Sequence, residues 1–135
     1  MKHRINLKKK KYPDVIKGKY PEGHWYRKSF DDNENEIYYE DSLGNTRSTQ
    51  YDKNNNKIFE ETNSGHWEKW EYDNNGNRIY YETDGVYWEK WRCDKNGRIV
   101  YEEDSTGYWV KRGYDNNGNE IYYETINGVR TDMLL

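Results

Sequence analysis

From Tyr72 to Trp91 the chain alternates turn-forming clusters with β-prone runs. Tyr72-Asp73-Asn74-Asn75-Gly76-Asn77 is polar, Arg78-Ile79-Tyr80-Tyr81-Glu82 is aromatic and β-branched, Thr83-Asp84-Gly85 is polar again, and Val86-Tyr87-Trp88-Glu89-Lys90-Trp91 closes the pattern. Asp and Asn side chains satisfy nearby backbone amides and Gly accepts positive φ, so each polar cluster predicts a hairpin turn. Tyr, Trp, Ile and Val suit a pleated, half-buried surface. One such segment therefore predicts a β-hairpin, and tandem copies predict an antiparallel meander.

The segment is repeated. Asp31, Asp52, Asp73, Asp94 and Asp115 each stand 21 residues from the next. Ile37, Ile58, Ile79, Val100 and Ile121 keep the same step, as do Glu40, Glu61, Glu82, Glu103 and Glu124. Tyr38, Phe59, Tyr80, Tyr101 and Tyr122 fill another place, and Trp25, Trp67, Trp88 and Trp109 a fourth, with Thr46 and Arg130 where that phase breaks. Gly23, Gly44, Gly65, Gly107 and Gly128 share a phase from which Gly85 is displaced by one residue. The fold class is thus all-β: about five hairpin repeats over residues 20–135, turning at the five aspartates and forming an elongated, twisted meander. At about 10 Å of sheet per hairpin, five repeats give a body about 50 Å long. Residues 1–19 form either a basic arm or a degenerate capping segment.

Alternation along each run puts Trp88 and Lys90 on one side and Glu89 and Trp91 on the other, and it likewise separates Tyr80 and Glu82 from Ile79 and Tyr81. Neither face is wholly apolar. Two architectures satisfy this: a single-layer sheet with aromatic ladders on both faces, which is the expectation, or a sheet coiled until one ladder becomes an interior. The register is left open, because a turn one residue longer exchanges the faces.

Composition narrows the function classes. Ile, Val, Leu and Phe together make 19 of 135 residues and there is no Ala, which disfavours a helical fold and a thick aliphatic core of the kind enzymes use. The 15 Tyr and 6 Trp supply the burial instead. The net charge of −3 is unevenly spread: residues 1–30 balance at +8 and residues 31–135 at −11. Lys8, Lys9, Lys10 and Lys11 therefore form a basic arm ahead of an acidic body, with nucleic acid or an anionic surface as its candidate ligands. The start of the chain carries charge without an apolar run, so the expectation is a cytoplasmic protein that neither enters nor crosses a membrane.

No reaction chemistry stands out, and no cofactor or metal is expected. The lone Cys93 occupies a place held elsewhere by Phe30, Tyr51, Tyr72 and Tyr114, so it reads as a small packing residue. His24 and His66 recur beside Trp25 and Trp67 as part of the repeat. The five repeated glutamates form a carboxylate ladder along one edge of the sheet, without the asymmetric pair that glycoside hydrolysis needs. Asp73, Asn75 and Asn77 have the spacing of a calcium loop, but Arg78 stands where its Gly belongs.

The stretch Trp70 to Ile79, aromatic-x-Tyr-Asp-x-x-Gly-Asn-x-Ile, resembles the YD repeats of Rhs-type proteins, and the resemblance covers residues 23–130. The 21-residue period and Trp-Glu-Lys-Trp also resemble MORN-like hairpin repeats and the aromatic repeats of choline- or glucan-binding modules. The resemblance implies a β-hairpin repeat scaffold. Five repeats are too few to enclose a toxin as Rhs shells do.

The functional expectation rests on aromatics that such a sheet leaves at its surface. Trp67, Trp70, Trp88, Trp91, Trp109, Tyr81 and Tyr123, with Glu82 and Glu103, are the candidate partner-binding residues. The expected partner is a protein, in the sharpest form a nucleic-acid-processing defence enzyme inhibited by a small phage or mobile-element protein in an anti-CRISPR-like manner. A carbohydrate-binding module and nucleic-acid binding through the basic arm are the alternatives. Open edge strands also permit edge-to-edge pairing of copies.

Overall fold

The computed structural model describes residues 14–19 and 23–130. Twelve strands follow in order: β1 Asp14–Lys19, β2 Trp25–Phe30, β3 Glu36–Asp41, β4 Thr46–Tyr51, β5 Lys57–Thr62, β6 Trp67–Tyr72, β7 Arg78–Thr83, β8 Tyr87–Cys93, β9 Ile99–Asp104, β10 Trp109–Tyr114, β11 Glu120–Thr125 and β12 Gly128–Arg130. The order across the sheet is the order along the chain, and the pairings are antiparallel. The meander of hairpins expected from the period is the fold. The chain divides into two compact units, Met1–Lys69 and Trp70–Leu135. Lys8 to Lys11, the expected basic arm, lie outside the described residues.

Each repeat opens on the same turn. Asp73 accepts the amides of Asn75 and Asn77 on Oδ1, both at 2.9 Å, and the Asn77 side chain on Oδ2 at 3.0 Å. The Gly76 amide returns to the Asp73 carbonyl, and the Asp73 amide reaches the Asn77 carbonyl. This is a three-residue hairpin loop with a left-handed residue before the returning strand. Asp31, Asp52 and Asp115 rebuild it with Asn35, Asn56 and Asn119, while at Asp94 the side chain of Arg98 takes the Asn place. The left-handed position falls on Gly76, Gly97 and Gly118 in the later repeats but on Glu34 and Asn55 in the first two, at φ 65° and 64°.

The returning turn at Asp41 has the same construction, with Leu43, Asn45 and Gly44 in the corresponding roles. Two like hairpins would give an even period. The odd residue is a bulge that follows the first turn. Ser29 pairs with Tyr38 and Phe30 with Glu36, so Ile37 is skipped; Ile58, Val100 and Ile121 are skipped in the same way. A bulge bends the strand and increases its twist. It also settles the register: without the extra residue Ile37 would oppose Ser29, and every side chain of the returning strand would change face. The displaced Gly85 has a separate cause. Asp84 and Gly85 both take positive φ, 53° and 71°, and the Val86 amide bonds the Thr83 carbonyl, so this turn is tighter than its counterparts and its Gly sits one place earlier.

Among the described residues of each unit, strands touch only the strands next to them in the chain, and no second layer covers the sheet. The single-layer alternative is the one adopted. Val110, 1% exposed, and Phe59, 6% exposed, are the only buried apolar side chains among the described residues; Ser29, Asp41, Ser48 and Thr49 are the other buried ones. Apart from Phe59 these are short side chains. Burial in such a sheet is lateral: tall Tyr, Trp, Lys, Arg and Glu side chains lean over shorter neighbours and shield them with their stems and rings. At Gly113 the same relation appears in reverse, since a Cβ there would stand 3.1 Å from that of Tyr122 on the paired strand.

Two outcomes follow from the turns. Glu34→Gly relieves a left-handed non-glycine residue and raises stability by about 1 kcal/mol. Gly76→Ala lowers it by roughly 1–2 kcal/mol although no atom would touch the new Cβ. Urea midpoints check both. The second outcome concerns acid. Hydrogen bonds hold the turn carboxyls below their ordinary value: Asp73 through the Asn77 side chain first, Asp52 and Asp115 through the Asn56 and Asn119 amides first. A depressed folded value adds stability that is complete above the unfolded carboxyl value, near 3.9, and is lost as pH falls through the folded one. The melting temperature should hold down to about pH 4 and fall below it, less steeply in Asp73→Asn.

Candidate functional site

Register and alternation sort the candidate residues onto two faces. On the first face Glu82 opposes Trp88, Tyr80 opposes Lys90, Lys90 opposes Glu103, and Glu103 opposes Trp109. Lys111 continues this face between Tyr101 and Glu124. In the first unit Trp67 stands opposite Glu61, the place that Trp88 and Glu82 hold in the second. On the second face lie Tyr81 opposite Glu89, Trp91 opposite Glu102, and Tyr123 opposite Arg112. Trp70, three residues past Trp67 on one strand, belongs there too, its ring 5.9 Å from that of Tyr81. The eight candidates of the second unit are therefore two sets. Trp88, Trp109, Glu82 and Glu103 share one side, and Trp70, Trp91, Tyr81 and Tyr123 share the other.

The expected carboxylate ladder along one edge is not formed. Glu40, Glu61, Glu82 and Glu103 each face Thr46, Trp67, Trp88 or Trp109 across the hairpin. An antiparallel meander sets the Glu place opposite the Trp place, so equivalent glutamates stand two strands, about 10 Å, apart. The carboxylates alternate with indoles on a face of the sheet.

Each of these groups has local partners. Lys90 Nζ lies 4.7 Å from the Trp88 ring centre and Lys111 Nζ 5.2 Å from that of Trp109. On the second face Arg78 lies 4.9 Å from Trp91 and Arg112 5.7 Å from Tyr123. Exposed cation–aromatic contacts of this kind contribute about 0.5–1 kcal/mol each. Tyr101 donates to Glu103 at 3.1 Å, Tyr122 donates to Glu124, and Tyr87 donates to Glu89 at 2.7 Å. The five candidate tryptophans are half-buried, whereas Trp25 is 42% exposed.

Sequence reasoning missed the Tyr–Glu and Lys–Trp pairs, although both were written at a spacing of two. Tyr-x-Glu recurs at Tyr38, Tyr80, Tyr101 and Tyr122, and Trp-x-Lys at Trp67, Trp88 and Trp109. Two residues along a strand is one step on one face.

The remaining chemistry is modest. A shallow hollow of about 310 Å³ is lined by Glu36, Arg47, Thr49, Tyr51, Lys57 and Glu60. Its charges are matched, with Arg47 2.6 Å from Glu36 and Lys57 2.9 Å from Glu60. Burial first, then Asp73 and Asp94, pushes the Cys93 thiol up, so the thiolate is disfavoured. His66 bonds Glu68 and His24 approaches Ser42. Among the described residues no three metal-binding side chains cluster.

No family model matches the chain. No curated protein matches its sequence. Solved structures do match in shape. The crystal structure of TcdB2-TccC3-TEV aligns at a TM-score of 0.59 and 15% identity over 76% of this chain. The Photorhabdus luminescens Tc holotoxin pore aligns with the same score and identity, and TcdB2-TccC3-Cdc42 at 0.58. The chain resembles a short stretch of Tc toxin. It spans 5% of the length of those toxin chains, and at this identity the likeness carries the hairpin-repeat fold alone.

The tyrosine pairs generate a titration. The Glu89 carboxylate, followed by burial, pushes the Tyr87 hydroxyl up to about 12. Tyr122 is raised by Glu124 first, and Tyr101 by burial and then Glu103. A raised folded value adds stability that is complete below the unfolded value, near 10, and is lost as pH rises through the folded one. Phenolate absorbance of the native protein should lag that of the urea-unfolded chain, and Tyr87→Phe should remove the last component to titrate.

Proposed function

We propose that the chain is a non-catalytic repeat module that binds a protein partner through the first face of its second unit. The observation that carries this reading is the row Tyr80, Lys90, Glu103, Trp109, set side by side across adjacent strands. It presents aromatic area and both signs of charge on a rigid backbone, the combination that anchors protein interfaces. The lysines at Trp88 and Trp109 favour this partner class over a glycan, since an ammonium over an indole occupies surface on which a sugar ring would stack.

The partner's chemistry follows from charge. Residues 31–135 balance at −11, and the turn aspartates are held ionised at neutral pH. A basic protein surface is complementary to such a body. The specific form of the reading is competition with nucleic acid for the basic groove of a processing enzyme, as a phage-type inhibitor of a defence nuclease would act in the cytoplasm.

Affinity capture from bacterial lysate with the full chain, before and after nuclease treatment, tests the reading. One basic protein should remain after nuclease, and the Trp88→Ala/Trp109→Ala variant, shown folded by circular dichroism, should lose it. Binding should weaken steeply between about 50 and 300 mM salt, a change that shortens the screening length roughly two-fold. Capture that disappears with nuclease, or that the double variant retains, sinks the proposal.

A further inference from the structure

Four asparagines in the described residues precede glycine: Asn75, Asn96, Asn117 and Asn127. Asn–Gly is chemically labile because an unbranched neighbour leaves its amide nitrogen free to attack. The Gly nitrogen loses its proton and bonds the Asn Cγ, ammonia leaves, and a five-membered succinimide forms. One water then opens the ring at either carbonyl, giving aspartate or, through the other bond, isoaspartate. The net change is one water in and one ammonia out. The step requires the Gly amide to be released from its hydrogen bond and the Asn side chain to swing onto it.

The fold treats the four sites unequally. At Asn75, Asn96 and Asn117 an aspartate two residues earlier grips the Asn amide on Oδ1, at 2.9, 2.8 and 2.9 Å. The following Gly amide is tied to the carbonyl of the same aspartate, at 3.1, 3.0 and 3.1 Å. Oδ2 is bound in turn by Asn77, Arg98 or Asn119. Opening any of these loops breaks several bonds together.

Asn127 has no such aspartate. Its turn follows Thr125, whose hydroxyl holds the Asn127 amide at 3.1 Å and has no second oxygen for the residue beyond. The loop between Thr125 and Gly128 has two residues, and Gly128 lies at φ 135°, away from the 79–84° of the glycines in the aspartate turns. The strand it leads into, β12, is three residues long, and residues 126–130 are all exposed. Short exposed strands paired on one side open with low local free energy.

We infer that Asn127–Gly128 is the leading site of spontaneous modification among the four Asn–Gly pairs, converting to aspartate and isoaspartate well ahead of the three that an aspartate grips. Conversion adds a negative charge beside β12. Its isoaspartate form adds a methylene to the backbone of a two-residue loop, which shifts β12 out of register with β11.

The test ages the purified full chain at neutral to mildly alkaline pH and maps deamidation and isoaspartate by peptide mass spectrometry. Asn127 should lead the other three by roughly ten-fold or more, as expected if local opening limits the rate. In the urea-unfolded chain, where all four share the same glycine neighbour, the rates should converge. Asp73→Ala should raise conversion at Asn75 and leave Asn117 unchanged. Equal rates in the folded protein, a lead at Asn75, Asn96 or Asn117, or a lead of Asn127 that survives unfolding would each overturn the inference.

Discussion

One hydrogen-bonding arrangement recurs at every repeat: an aspartate side chain that holds the two amides ahead of it while its own carbonyl takes the amide of a left-handed residue. A single-layer sheet has almost no core to choose among alternative pairings, with Val110 and Phe59 alone buried among the apolar side chains of the described residues. Register in such a sheet must be set locally, at the turns. Each aspartate turn fixes where the returning strand begins, and the bulge at Ile37, Ile58, Val100 or Ile121 fixes which way its side chains point. Everything on the faces depends on these two local events.

The ladders then follow without long-range packing. Because places on neighbouring strands are matched by the turn, Lys90 stands opposite Glu103 and leans over Trp88, one step away on its own strand. Each contact is small, and the chain repeats it. That is how 35% charged residues and 32% hydrophobic ones coexist in an ordered sheet: aromatic rings supply area, and charged stems supply cover. The matched ions of the hollow around Arg47 and Glu36 belong to the same economy of neighbours, which explains why it offers a ligand no free charge.

Much of this was legible in the residues, for a physical reason. A 21-residue period with Asp and Gly at fixed offsets encodes local turn chemistry, and local chemistry is what sequence states most directly. The two faces were legible as well, since Trp88 with Lys90 and Glu89 with Trp91 follow from strand alternation alone. The register was not. It turns on one skipped isoleucine per repeat, and nothing about Ile37 marks it as unpaired until Ser29 is seen opposite Tyr38. The carboxylate ladder does not form for a different reason: equal spacing in sequence is not adjacency in space, and the meander puts Trp88 and Lys90 between Glu82 and Glu103.

The candidate surface was legible by residue type, and alternation already divides it. Trp88 and Trp91 stand three apart on a strand and so look in opposite directions. A partner that lies flat on the sheet can reach one set only. The set bearing Trp88 and Trp109 differs from the other in its cations: Lys90 and Lys111 are points of charge on flexible stems, while Arg78 and Arg112 opposite are planar groups, Arg112 held also by Glu102 at 3.3 Å. A lysine can leave its indole for an incoming carboxylate at small cost, whereas a paired arginine gives up more. The contacts of the first face are therefore the easier to exchange, and those of the second are the more firmly held.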